Sequence, residues 1–503
     1  MPASFPRFDN TYARELDGFY TPWQPAPVRE PKLIYANHAL ARELGMDLAA
    51  LGESAATIFA GHTVPQGAEP IAQVYAGHQF GGFSPRLGDG RAVLLGEVLD
   101  RQGRRRDIAL KGSGRTPYAR NGDGKAAVGP MLREVLLGEV MHALGIPTTR
   151  ALAVAATGES VMREEALPGA VLTRVAASHI RVGTFEYFAA RQEHDNLQRL
   201  ADYTIRRHDP ALAQRPDRYA ALLEAVVERQ ASLIACWMNV GFIHGVMNTD
   251  NMALSGETID FGPCAFLEAY DPATVFSSID TGGRYAYGNQ PSIGQWNLTR
   301  LAEALLPLLD ADVDKAVASA TDILNTYPDR YFRHLLHGQR AKLGLQRASE
   351  TAAEADAALA ADWLSLLQAH KVDFTLGWRR LADAATGEVQ KLRSLFDEQA
   401  APDRWLARWQ ARCADEDSAS GLEPRAAQAG RAARIRAASP FVIARNHRVE
   451  EALAAASVDG NLAPFERLLD ALQHPFNESP QLAPYAEPAP PAVTACYKTF
   501  CGT

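Results

Sequence analysis

Between Ile71 and Leu144 the chain reads, in order, as strand, glycine-rich loop, strand, polar turn, strand and helix, and few folds accept that order. Ile71 to Tyr75 reads as the first strand, followed by AGHQFGGFSPRLGDGR, a loop with five glycines between Gly77 and Gly90. Ala92 to Leu99 is a strong strand signal. DRQGRRR turns the chain around Gly103, and Asp107 to Lys111 (DIALK) returns it. After a second Gly/Pro-rich loop, GSGRTPYARNGDGKAAVG, Pro130 stands where a helix begins. Met131, Leu132, Val135, Leu136, Val140 and Leu144 recur at helical spacing, with Gly145 as the expected C-cap and Pro147 just beyond. Ala151 to Ala156, Val161 to Arg163 and Ala170 to Val175 read as further short strands.

The second half differs in texture. Residues 190–475 are rich in Ala, Leu and Arg with helical periodicity, and Tyr219 to Val240 reads as one long helix. In GFIHGVMNTDNMALSGETIDFGP, the runs Asn251 to Leu254 and Glu257 to Asp260 flank Ser255-Gly256, which predicts a hairpin. Asn477 to Pro491 is Pro-rich and expected to be extended, ahead of a CYKTFCGT tail. The expected class is therefore α+β.

Charge and cysteine content narrow the function classes. With 51 Lys+Arg against 59 Asp+Glu the net charge is −8, which disfavours a general nucleic-acid binder. Five cysteines, an odd number with no Cys-x-x-Cys pair, argue against a zinc site and a disulfide framework and suit a reducing compartment. The N-terminal stretch has no apolar h-region and no run approaches a membrane span, so a cytoplasmic protein without membrane contact is expected.

The chemistry-bearing residues recur in a fixed order. Lys111 ends the second strand after a Gly-rich loop, placed to pair with phosphate oxygens that backbone N–H groups can approach closely. Glu134 on the next helix can hold Lys111 by an ion pair; Glu139 is a competing partner, and the inward face of the helix favours Glu134. Asn251 and Asp260 can each offer an oxygen to one divalent cation. Gly loop, Lys111, Glu134, His244…Asp250-Asn251 and Asp260-Phe-Gly together follow the layout of the protein-kinase signature. That predicts a kinase-like two-lobed fold: residues 1–180 as N-terminal extension and β-rich N-lobe, 181–476 as helical C-lobe and helical extension, and 477–503 as tail.

Two departures matter. The position of the kinase base holds Val246, which accepts no proton; the acid nearby is Asp250. The stretch joining the strands to the helical half carries Arg174 and Arg181, and buried arginine suits phosphate rather than adenine. If both face the cleft, the deep end is the phosphate end and the nucleotide lies reversed relative to a kinase.

The stretches YAGHQFGGFSPRLGDGRA, LKGSGRTPYARNGDGKA, ALGIPTTRAL, HGVMNTDN and TIDFGP resemble the selenoprotein O family, pseudokinases that act as protein adenylyltransferases, over essentially the whole chain. The resemblance implies AMP transfer from ATP to Ser, Thr or Tyr hydroxyls of protein substrates. It implies Mg²⁺ as cofactor, with Mn²⁺ the other candidate. It also implies roles: Gly88, Gly90, Arg91, Asp123 and Gly124 contact the nucleotide; Lys111 pairs with phosphate and with Glu134; Arg174 and Arg181 hold the buried γ-phosphate; Asp250 accepts the proton; Asn251 and Asp260 bind the metal. A monomer is expected. Some members bridge a Cys downstream of the DFG to a tail Cys or selenocysteine. Here the tail has Cys496 and Cys501, but the matching downstream positions are Ser277 and Ser278, and Cys264 is the only substitute nearby. The competing readings are kinase-type phosphotransfer with Asp250 as a displaced base, and a nucleotide-binding scaffold without catalysis.

Overall fold

Seven of the eight residues of Ala92–Leu99 are buried, as for a strand covered on both faces. In the computed structural model, which describes residues 5–346, 350–418 and 421–500, this strand lies inside a large antiparallel sheet. Its members are β1 (Tyr20–Pro22), β2 (Lys32–Ala36), β3 (Ile71–Gln73), β6 (Ala92–Leu99), β7 (Arg105–Lys111), β8 (Ala126–Ala127), β9 (Arg150–Met162) and β10 (Ala166–Ala176). The order is β1-β3-β6-β7-β10-β9-β2, with β8 on β10. Two small pairs stand apart: β4 (Gly77–Gln79) with β5 (Gly82–Ser84), and β11 (Phe242–Ile243) with β12 (Ala265–Phe266).

The Val128–Ala143 helix lies against β9 and β10, and its far side meets the Asn446–Val458 and Ala463–Leu472 helices. Cover on both sides explains why Arg133, Glu134 and Glu139 are buried along with its apolar residues. The Arg218–Val240 helix, ended by Gly241 in the left-handed conformation (φ +74°), is a central member of the helical half. It packs on the Gln290–Leu309 and Tyr327–Lys342 helices. One apolar core runs from the sheet-side helix (Leu132, Leu136) into these helices (Val226, Ile234, Leu301). A second core gathers Trp363, Trp378, Trp405 and Trp409.

Several expected elements differ. Residues 251–260 form no hairpin. Ala253 pairs with Arg181 and Thr258 with Thr148, so each arm satisfies its backbone on a distant segment instead of on the other arm. The two short strands expected between 151 and 163 are one, β9, long enough to pair with both β2 and β10. The glycine-rich loop contains the β4–β5 hairpin. Leu144 is the C-cap and Gly145 (φ +76°) follows it. The Pro-rich stretch contains one helical turn, Ala483–Ala486, whose last carbonyl accepts from Arg445. Among the described residues no helix is long and apolar enough to cross a membrane.

Candidate active site

A cavity of about 720 Å³ opens between the sheet and residues 246–263. Its wall is set by strand register. β10 pairs Leu172 with Lys111 and Arg174 with Ala109, so the side chains of Lys111 and Arg174 leave the same face of the sheet. Lys111 Nζ forms an ion pair with Glu134 and donates to Asp260 Oδ1 at 2.5 Å. Arg174 Nη1 donates to the same oxygen at 2.7 Å. Glu139 is held by Arg150 at 2.6 and 2.8 Å and does not reach Lys111.

Asp260 sits at φ +62°, a left-handed conformation that Asp tolerates better than most side chains. Burial by itself raises its pKa, but Lys111, Arg174 and Arg181 outweigh that and hold its carboxyl well below the usual range. It is ionised at any working pH.

Arg181 caps the Val182–Ala189 helix and is buried. Its guanidinium lies over the Tyr75 ring at 4.4 Å and stands 3.8 Å from Asp89. The Nε atoms of both Arg174 and Arg181 are buried and have no hydrogen-bond partner. Natural proteins leave few such donors unpaired.

Across the cavity, the turn Thr249–Asn251 carries the acid. Asp250 Oδ2 accepts from Gln79 Nε2 at 3.3 Å, while Oδ1 is buried without a partner. Burial pushes the Asp250 carboxyl up to about 6, with the Arg181 charge pulling the other way. Asn251 Nδ2 donates to the Val246 carbonyl at 3.0 Å, which leaves the amide oxygen as its remaining polar atom. Asn251 and Asp260 line the same cavity, brought there by the outside pairings of residues 251–260.

The remaining expected residues form the rim. A Cβ on Gly88 (φ +112°) would stand 2.5 Å from the Tyr118 ring, and one on Gly124 (φ +71°) 2.3 Å from the Arg115 nitrogen. Gly88 lets the first glycine-rich loop close on the second, and Gly124 lets the second fold back on itself. Gly90 and Arg91 line the same wall. Asp123 is tied to Arg163 at 2.9 and 3.2 Å.

Sequence reasoning missed Asp89, Gln79 and Asn248, all of which line the cavity. Asp89 sits between the two glycines that were singled out, and its buried carboxylate accepts the Gln73 N–H at 3.0 Å. The Gly-Asp-Gly spacing was its only signal.

A cation fits this donor set. Among the described residues no cluster of three or more His, Cys, Asp or Glu side chains could hold a metal by itself. One ionised carboxylate and one amide oxygen suit an ion that takes its other ligands from phosphate and water. None of the described cysteines lines the cavity. Cys264 is buried, donates to the Phe261 carbonyl at 3.1 Å, and has its thiol pushed up to about 12 by burial. Cys496 is exposed, and Cys501 lies outside the described residues. The tail nevertheless reaches the stretch after the DFG through its backbone: Ser278 N–H donates to the Thr499 carbonyl at 2.9 Å.

Comparison with known proteins identifies the family. The family described as "Protein adenylyltransferase SelO" matches residues 5–473. A relative from Cereibacter sphaeroides, named protein nucleotidyltransferase YdiU, is 60% identical over 498 residues, covering 99% of each chain. Relatives of the same name from Chromobacterium violaceum (58% over 487 residues, 96% of this chain and 99% of the relative) and Rhizobium etli (55% over 504 residues, 100% and 98%) are similar throughout. With a match over that much of its length, the chain belongs to the SelO family of protein adenylyltransferases.

Proposed function

We propose that this chain transfers AMP from ATP to a Ser, Thr or Tyr hydroxyl of a target protein, with ATP reversed relative to a kinase. Family membership and the relatives' names support nucleotidyl transfer to protein. The observation that carries the orientation is the pair of buried guanidiniums, Arg174 and Arg181, with unpaired Nε donors. Such donors call for a buried anion, and the terminal phosphates are the most highly charged part of ATP. The Asp250 carboxylate, which lines the same cavity, then stands on the side left for the acceptor.

In this reading the acceptor oxygen attacks the α-phosphorus. The bond from that phosphorus to the bridging oxygen breaks, and pyrophosphate leaves. The hydroxyl proton passes to Asp250, whose raised pKa makes it a stronger base than an exposed carboxylate. Lys111, Arg174 and Arg181 stabilise the charge that collects on pyrophosphate. Asn251 and Asp260 would hold Mg²⁺ or Mn²⁺, which when bound neutralises phosphate charge. Gly88, Gly90, Arg91, Asp123 and Gly124 would border the nucleoside side, and Glu134 keeps Lys111 in place.

The remaining details belong to the same proposal: a kinase-like division into an N-lobe (1–180), a C-lobe with helical extension (181–476) and a tail (477–503), a monomeric chain, and a cytoplasmic location. The test is incubation with ATP labelled at the α- or γ-phosphate. Protein labelled only from the α-position is expected. Label from the γ-position would mean kinase chemistry, and no label from either would favour a scaffold.

A further inference from the structure

The β4–β5 hairpin stands at the cavity mouth and has two unlike sides. Its inner side is fixed to the acid-bearing turn. His78 N–H donates to Thr249 Oγ1 at 2.7 Å, Phe80 N–H to Asn248 Oδ1 at 3.1 Å, and the Gln79 amide to Asp250. The His78 ring and the Thr249 hydroxyl both bind the Glu186 carboxylate. The two-residue turn Phe80-Gly81 has positive φ at both positions (+52° and +85°), the type that suits a tight hairpin.

The outer edge, along β5, is open. Phe80, Phe83 and Ile279 are 38, 42 and 53% exposed; the Phe83 ring rests on the His78 ring at 4.9 Å, and Phe80 and Ile279 line the cavity mouth. Gln79 and Gly82 are the pair that closes the turn, so His78 and Phe83, the next pair, point their backbone groups away from each other. His78 spends its N–H on Thr249. The N–H and C=O of Phe83 have no hydrogen bond among the described residues. Arg284 lies against Gly81 with its guanidinium over Trp296 (4.7 Å) and beside Tyr285 (5.7 Å). Among the described residues no carboxylate stands within ion-pair distance of it.

An open strand edge, exposed apolar side chains and a guanidinium with no described carboxylate within ion-pair distance, the nearby Asp280 being taken up by the Arg284 and Tyr285 N–H groups, meet at one hairpin bonded to the acid. A strand edge recognises backbone, so the occupant it fits is a polypeptide and not a small molecule. An unmatched cation favours an acidic partner. Resting on the adenylyl-transfer reading, we propose that this hairpin is the acceptor dock. An extended, acidic segment of the target protein adds as a third strand along Phe83, lays an apolar side chain over Phe80, Phe83 and Ile279, sets a carboxylate near Arg284, and thereby brings its hydroxyl to Asp250.

The test uses the full chain, α-labelled ATP and a degenerate peptide library with one fixed Ser, Thr or Tyr. Labelled peptides should be enriched in Asp or Glu and in aliphatic residues beside the hydroxyl. Arg284→Gln should erase the acidic preference. Phe83→Ser alters a side chain that is 42% exposed and lies outside the cavity lining. It should raise the KM for an enriched peptide roughly ten-fold while the KM for ATP stays put. Labelled peptides without acidic enrichment, or with basic enrichment, would overturn the dock; so would an unchanged peptide KM in both variants. If the wild type labels the library only from γ-labelled ATP, or from neither, the adenylyl-transfer reading itself falls and the dock with it.

Discussion

Replacing Asp250 by Asn should slow transfer a hundred-fold or more, on the order of what a general base contributes, and at the same time stabilise the protein. Asp250 is moved from an ordinary 3.8 to about 6 because burial disfavours its ion more than Arg181 favours it. At about 1.4 kcal/mol for each ten-fold in proton affinity, its ionisation costs the folded state about 3 kcal/mol. The sign follows from linkage: between 3.8 and 6 the native state binds more protons than the unfolded state, so stability falls as pH rises through that window. Above it the cost is complete. Asp250→Asn keeps the shape and removes the charge, so it should be more stable than wild type by about 3 kcal/mol at pH 7 and by about half that at pH 5. Urea denaturation at the two pH values measures both. The same ionisation sets the rate: kcat/KM for α-label transfer should fall about ten-fold from pH 7 to pH 5 as the base is protonated, and Asp250→Asn should lose about 10² to 10⁴. A variant no more stable than wild type at pH 7, or a wild-type rate flat down to pH 5, would refute the assignment of Asp250 as a buried, costly base.

Lys111→Ala should remove nearly all transfer, and Glu134→Gln less, since Glu134 acts through Lys111; a Glu139→Gln variant that lost more activity than Glu134→Gln would contradict the ion pairs described. Val246→Asp restores a carboxyl where kinases keep their base, yet should transfer no γ-label if, as proposed, Arg174 and Arg181 keep the γ-phosphate from the acceptor; γ-label in this variant would sink the reversed nucleotide. Lys342 is buried between the Phe374 and Trp378 rings (5.2 and 5.1 Å), and burial lowers it to about 7. The unfolded state therefore binds more protons between about 7 and 10.5, and stability should rise with pH across that window. Lys342→Met should flatten that rise and add about 2 to 4 kcal/mol at pH 7, and equal denaturation midpoints at pH 7 would contradict it.

The elements that the sequence made legible are those with one strong local signal. Ala92–Leu99 matches its strand residue for residue, and the long helix differs by one residue at its start. Glu134 was preferable to Glu139 on the expectation of one inward face, but the structure buries both, and what separates them is that Arg150 takes Glu139 while Lys111 takes Glu134. Pairing was harder to read. Ser255-Gly256 carries a genuine turn signal, with Gly256 at φ +77°, but local chemistry could not say that Arg181 and Thr148 would take the hydrogen bonds of the flanking residues. Gln79 and Asn248 were invisible for the same reason. Their neighbours are remote in sequence, and a polar residue in a loop reads as solvated until the fold buries it.

The left-handed backbone of Asp260 has a consequence in the genetic code. Single-base changes convert an Asp codon to Asn, Gly, Ala, Val, His, Tyr or Glu. Gly and Asn occupy φ +62° most readily, and both lack the carboxylate that gathers Lys111 and Arg174. If Asp260 has the role proposed for it, point mutation at this codon reaches an inactive enzyme with an intact backbone in one step, while most of its other outcomes strain the chain as well. Loss of catalysis and retention of shape lie one nucleotide apart.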